Sequence, residues 1–109
     1  RQGNDLAGVA SFHGMLGTDE PAKKGAVKAR ILVATGAADP YVPTEQVVAF
    51  VQEMTNAGAE FELLSFPGVL HSFTDVGTTE KGKKFGMPAA YDENADKFSW
   101  AALLSMLKD

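Results

Sequence analysis

Arg30-Ile31-Leu32-Val33-Ala34-Thr35, closed by Gly36, is the stretch on which the fold turns. A strand with one wet face alternates apolar and polar residues, whereas an unbroken apolar run belongs to a strand covered on both faces, as in parallel sheets flanked by helices. Upstream, residues 6–12 (Leu-Ala-Gly-Val-Ala-Ser-Phe) read the same way and end at His13-Gly14. Downstream, a turn-rich stretch from Ala37 to Pro43 leads into a helix over 45–57. Thr44 has N-cap chemistry, Glu45 sits where the helix dipole favours a carboxylate, and Gly58 stands at the C′ position. Val47, Phe50, Val51 and Met54 supply the helical spacing.

Residues 60–66 open with charge alternating against apolar side chains, which suits a strand nearer the sheet edge than the first two, and Pro67-Gly68 ends it. Residues 15–29 read as loop with room for one helical turn, and His71 to about Ala90 as a long polar, glycine-rich loop. A last helix is expected over 93–107, with apolar residues spread over more than one stripe. It is therefore expected to be largely buried, with Phe98 and Trp100 as core rather than a ligand-stacking pair. Strand, loop, strand, helix, strand, helix implies parallel pairing with right-handed crossovers. The fold class is α/β: three parallel strands flanked by helices, a portion of a doubly wound sheet.

With 109 residues the chain is one domain at most. Its 45% hydrophobic and 22% charged composition is that of an ordinary globular protein, without an apolar run long enough to span a membrane. A net charge of −4 argues against a nucleic-acid-binding surface, and Lys81, Lys83 and Lys84 read as a solvated loop. The absence of Cys excludes disulfides, thiolate metal sites and a Cys nucleophile within these residues, and fits a cytoplasmic protein. No metal or other cofactor is expected.

Functional groups of open α/β sheets gather beyond the carboxyl ends of the strands. Two residues take that position: Asp39, just past the strand ending near Thr35, and His71, just past the strand ending at Phe66. Neighbouring strands lie about 4.8 Å apart, so both loops would emerge at one edge. The carboxylate can then bond one imidazole nitrogen, fix the tautomer, leave the other nitrogen as a general base and stabilise the imidazolium. Each has a plainer reading as well, an Asx-turn for Asp39 and a solvated loop residue for His71. The chain order Asp then His matches the later part of the hydrolase triad order. His13, on the same edge, reads either as a pocket-lining residue or as a turn residue beside Gly14.

The blocks Gly36-Ala-Ala-Asp39-Pro40, Pro67-Gly-Val-Leu-His71-Ser-Phe-Thr74 and Ala90-Tyr91 through Ser99-Trp100 resemble successive blocks of the dienelactone hydrolase family. Gly8-Val-Ala-Ser-Phe-His13-Gly14 resembles that family's sixth strand, so the similarity spans essentially the whole sequence. The resemblance implies that the strands are the sixth to eighth of an eight-stranded α/β-hydrolase sheet, with Asp39 as triad acid and His71 as triad base. It also implies a Ser or Cys nucleophile in a Gly-x-Ser/Cys-x-Gly turn. None of Ser11, Ser65, Ser72, Ser99 or Ser105 has glycines two residues to either side, so the nucleophile is expected roughly one helix upstream of Arg1. Residues 1–109 are accordingly expected to be the C-terminal portion of such a domain, nearly inert as they stand. Family members that bind an anionic lactone use an Arg shortly after the His. Asp75 stands there, which favours an uncharged ester or lactone as substrate.

A second reading is a non-catalytic assembly module. Strand 6–12 has the composition of an interior strand, yet nothing in the sequence flanks it on the far side. Its expected partners are a second copy, giving a homodimer with a continuous six-stranded sheet, or an N-terminal half-domain.

Overall fold

A computed structural model describes residues 1–108. Three strands, β1 (Gly8–Phe12), β2 (Arg30–Gly36) and β3 (Phe61–Phe66), form one sheet in the order β1-β2-β3. Both pairings are parallel: Gly8 stands opposite Arg30 and Ile31 opposite Phe61. The expected portion of a doubly wound α/β sheet is what forms.

The unbroken apolar run is explained by β2's central place, since Leu32, Val33, Ala34 and Thr35 are all buried. Successive side chains of a strand point to opposite faces. On one face Ile31 and Val33 meet helix α1 (Thr44–Ala57), where Phe50 and Met54 join Val42 and Leu16 in one core cluster. On the other face Ala34 packs with Val69, Phe73 and Ala95, the last from helix α3 (Glu93–Lys108). Burying each such Leu, Val or Phe side chain contributes about 1.5–3 kcal/mol, so the two clusters hold helices to both faces.

Several expectations need correction. The N-cap of α1 is Pro43, and Thr44 is the first helical residue without a side-chain cap bond. Proline's fixed φ of −65° and extended ψ put it at the boundary. At the other end Gly58 does adopt the left-handed conformation, its amide donating to Met54 and Thr55 carbonyls. Within the long polar stretch lies a short helix, α2 (Thr78–Phe85). It buries only Thr78 and Gly82, so it carries no apolar periodicity for the sequence to reveal. Gly82 is needed there because a Cβ would run into the Ala89 carbonyl.

The expectation for α3 was wrong in a different way. Only Ala95 and Ser99 are buried, and Trp100 is 56% exposed, with Phe98, Leu104 and Leu107 also on the surface. The helix meets the sheet along one stripe, and among the described residues nothing covers the rest of its apolar surface. Strand β1 is likewise only half-buried, with Val9 exposed, because it forms an edge just as β3 does. Among the described residues no helix is long and apolar enough to cross a membrane.

Candidate active site

Strands β2 and β3 run parallel, so their carboxyl ends deliver Asp39 and His71 to the same rim. The chain leaving β2 is tied to the chain leaving β3: the Ala37 amide donates to the Phe66 carbonyl at 2.8 Å and the Ala38 amide to Val69 at 3.0 Å. Gly36 permits this close approach, since a Cβ there would collide with the Val69 carbonyl. The turn closes with the Asp39 amide on the Gly36 carbonyl and the Val42 amide on the Asp39 carbonyl.

The Asp39 side chain is completely buried and divides its two oxygens between two tasks. Oδ1 accepts the Tyr41 amide at 2.9 Å, which is the Asx-turn reading. Oδ2 lies 2.8 Å from His71 Nδ1, the contact the strand order anticipates. The carboxylate thus makes the turn bond and the contact with His71 at once. With the carboxylate ionised, Nδ1–H is the donor and Nε2 keeps its lone pair. The His71 side chain is 28% exposed, so the ring is gripped at one end and open at the other.

His71 is held from the backbone side as well. Its amide donates to Pro88, its carbonyl accepts from Ala90, and a parallel bridge joins it to Ala89. The next residue, Ser72, takes a left-handed φ of 58°, turning the chain so that Phe73 drops into the core. Phe73 packs edge-on against Phe66 and His13.

His13 proves to be both of the things the sequence allowed. It takes a turn conformation with φ of 47° at the end of β1, fixed by its amide on the Ala34 carbonyl at 2.9 Å. Its ring also reaches the site, with Nε2 3.0 Å from Thr74 Oγ1 and its centroid 5.5 Å from that of His71. Burial holds the His13 imidazole below its ordinary pKa, and repulsion from His71 adds to this, against attraction from Asp39 and Asp75. Tyr41 makes a second edge contact with His71, at 4.9 Å between centroids. Sequence reasoning missed Tyr41, Phe73 and Thr74 as neighbours of this site. The only signal was position, two residues past Asp39 or two to three past His71.

An open cleft of about 430 Å³ borders His13, lined by Phe12, His13, Thr74, Asp96, Ser99 and Trp100. Ser99 donates to the Asp96 carbonyl and Asp96 Oδ2 accepts the Tyr91 hydroxyl, so the polar groups of its helical wall are paired. No group of three or more His, Cys, Asp or Glu able to hold a metal ion occurs among the described residues. Chemically, the arrangement offers a carboxylate-oriented imidazole with one accessible nitrogen, suited to taking and returning a proton.

Known proteins share this architecture. A crystal structure of a dienelactone hydrolase-like promiscuous phosphotriesterase, P91, from metagenomic libraries is 30% identical with a TM-score of 0.79, over 97% of this chain and 43% of that one. The structure designated m3DLH is 28% identical with a TM-score of 0.84, over the same shares. An uncharacterized protein of Caenorhabditis elegans is 35% identical over 108 residues, or 95% of this chain and 65% of the relative. The chain thus spans just under two thirds of that relative and less than half of each solved structure. The model of the dienelactone hydrolase family matches residues 1–109, and the chain belongs to that family.

Proposed function

We propose that Asp39 and His71 are the acid and base of a carboxylic-ester or lactone hydrolase of the dienelactone-hydrolase type, serving a Ser or Cys nucleophile carried outside these 109 residues. The observation that carries this reading is the 2.8 Å contact between a fully buried carboxylate and a partly exposed imidazole at the carboxyl ends of adjacent parallel strands. In the reaction, Nε2 of His71 takes the nucleophile's proton as its oxygen or sulfur attacks the ester carbonyl. Asp39 stabilises the imidazolium, which then protonates the departing alkoxide as the tetrahedral adduct collapses. Water, deprotonated by the same nitrogen, releases the acid in a second round. The oxyanion donors, an amide beside the nucleophile and one from an earlier loop, lie outside these residues too.

An uncharged substrate fits best. Asp75, where anionic-lactone binders carry Arg, accepts the Gly77 and Thr78 amides in the turn that starts α2, and its charge would repel an anion. Uncharged phosphotriesters form a second class to assay, given the name of the P91 relative. A cytoplasmic site of action belongs to the same reading and rests on the absence of Cys.

A nitrophenyl acetate assay tests the proposal. The 109-residue chain alone gives no burst of nitrophenol, since loss of a hydrolase nucleophile costs about 10⁶-fold in kcat. A polypeptide that joins these residues to a Gly-x-Ser/Cys-x-Gly turn gives the burst, and His71→Ala removes it. Undiminished turnover in that variant refutes the base role. A stoichiometric burst from the chain alone refutes the placement of the nucleophile.

One observation favours a second reading, a dimeric assembly module. Among the described residues β1 pairs with β2 alone, and Val9 on this strand and Leu6 just before it are exposed. A two-fold axis along β1 would join two copies into a six-stranded sheet and cover that edge. Size-exclusion chromatography with light scattering decides it: a well-behaved monomer at micromolar concentration eliminates this reading.

A further inference from the structure

His13 is held in a way a simple turn residue does not require. Its φ of 47° is uncommon for a residue with a side chain, and such conformations persist where the surroundings enforce them. The bond from its amide to Ala34 fixes the backbone, Thr74 Oγ1 holds Nε2, and Phe73 packs edge-on at 5.2 Å. What the ring gains from these constraints is a single placement, edge-on to His71 at an interplanar angle of 72°. The other ring against His71 is Tyr41, whose amide is bound by Asp39. The base is thus held by a carboxylate at Nδ1 and by two rings on its faces or edges.

We propose that His13 is a positioning residue for His71: it fixes the orientation of that ring and leaves the Asp39 charge to His71 alone. This deepens the hydrolase reading and rests on His71 being its base. Two imidazoles lie near one buried carboxylate, and only His71 bonds it. The charged and titratable groups around His13 are His71 and Asp75 on the segment after β3, Asp39 on the turn after β2, and Asp96 on the α3 wall of the cleft, with Tyr41 on the ring of His71. Burial and His71 act against a proton on His13, while Asp39 and Asp75 act for it, and the first two win. Burial and the His71 ring both disfavour a proton on His13, so it competes less for the proton taken from a nucleophile.

The chain has only two histidines, which makes the test direct. Imidazole resonances of the 109-residue chain are followed by NMR against pH, with His13→Gln for assignment. His13 is expected to titrate below the ordinary imidazole value of about 6.5. In His71→Gln and, independently, His71→Phe, the like-charge neighbour is gone, and the His13 titration is expected to move to higher pH. A His13 that titrates at or above the ordinary imidazole value, or that ignores both substitutions, overturns the proposal. In a polypeptide that supplies the nucleophile, His13→Phe should lower kcat about tenfold to a hundredfold while KM stays within about twofold, as loss of orientation does. Turnover abolished by His71→Ala but unchanged by His13→Phe sinks the role of His13 alone. Coupled titrations with turnover indifferent to His71→Ala sink the base reading instead.

Discussion

Replacing Gly36 by Ala puts a methyl group where β2 hands over to the Asp39 turn. The new Cβ would overlap the Val69 carbonyl oxygen and stand 2.8 Å from the Val69 carbonyl carbon and 2.9 Å from the Leu70 oxygen. Ordinary contacts of this kind sit at about 3.5–4.0 Å, so residues 69–70 must retreat by at least roughly 0.7 Å. These are backbone atoms, pinned by the Ala38 amide at 3.0 Å, and they cannot rotate away like a side-chain tip. Overpacking of this sort costs about 1–3 kcal/mol. With unfolding entropy of about 2.1 cal/mol/K per residue, the melting temperature should fall by about 4–13 °C. Because His71 follows Leu70 directly, the same retreat carries the 2.8 Å bond to Asp39 out to the limit of a hydrogen bond. A circular-dichroism melt and the His71 imidazole resonance read the two effects together. Gly58→Ala is the control: nothing lies near its Cβ, and its φ of 71° costs about 1 kcal/mol without disturbing His71. A Gly36→Ala protein that melts within 1 °C of the parent with an unmoved His71 resonance refutes the argument.

Asp39→Asn keeps an oxygen for the Tyr41 amide but turns an NH₂ toward His71 Nδ1, which selects the wrong tautomer; in a nucleophile-bearing form, ester turnover should drop about 10⁴-fold with the fold intact by circular dichroism. Phe73, fully buried where the two histidine-bearing segments meet, should cost about 3–5 kcal/mol when truncated to Ala, read as a lower urea midpoint. Glu53 has a pH signature. Burial pushes its carboxyl up, but bonds from Arg1 and the Ala22 amide outweigh that and hold it below the ordinary value of 4.5. Because the folded-state pKa is the depressed one, its stabilisation is present above about 4.5 and lost as pH falls through the folded value. Glu53→Gln should therefore lower stability at pH 7 and make little difference at the acid end; an equal loss at both would contradict this.

Local pattern was enough for the elements whose function is burial. The unbroken run at 31–34, the spacing of Val47, Phe50, Val51 and Met54, and the glycine at 58 each record which side of an element faces the core. The pairing of Asp39 with His71 was legible too, because parallel strands put their exits on one rim. Helix α2 escaped notice, since a helix that buries only a threonine and a glycine has no apolar period to display. The exposure of Phe98 and Trp100 was also beyond reach: composition records that a side chain is apolar, not whether another element lies over it.

The sequence by itself settled the three strands, helices α1 and α3, the parallel sheet and the meeting of Asp39 with His71, because periodicity and chain order are one-dimensional properties. The gathering of His13, Tyr41, Phe73 and Thr74 around His71 belongs to the folded molecule alone. His13 and Thr74 stand 61 residues apart, and their contact depends on the register of β1 on β2 and on the left-handed turns at His13 and Ser72. No local preference encodes those distances; only packing three strands against two helices fixes them.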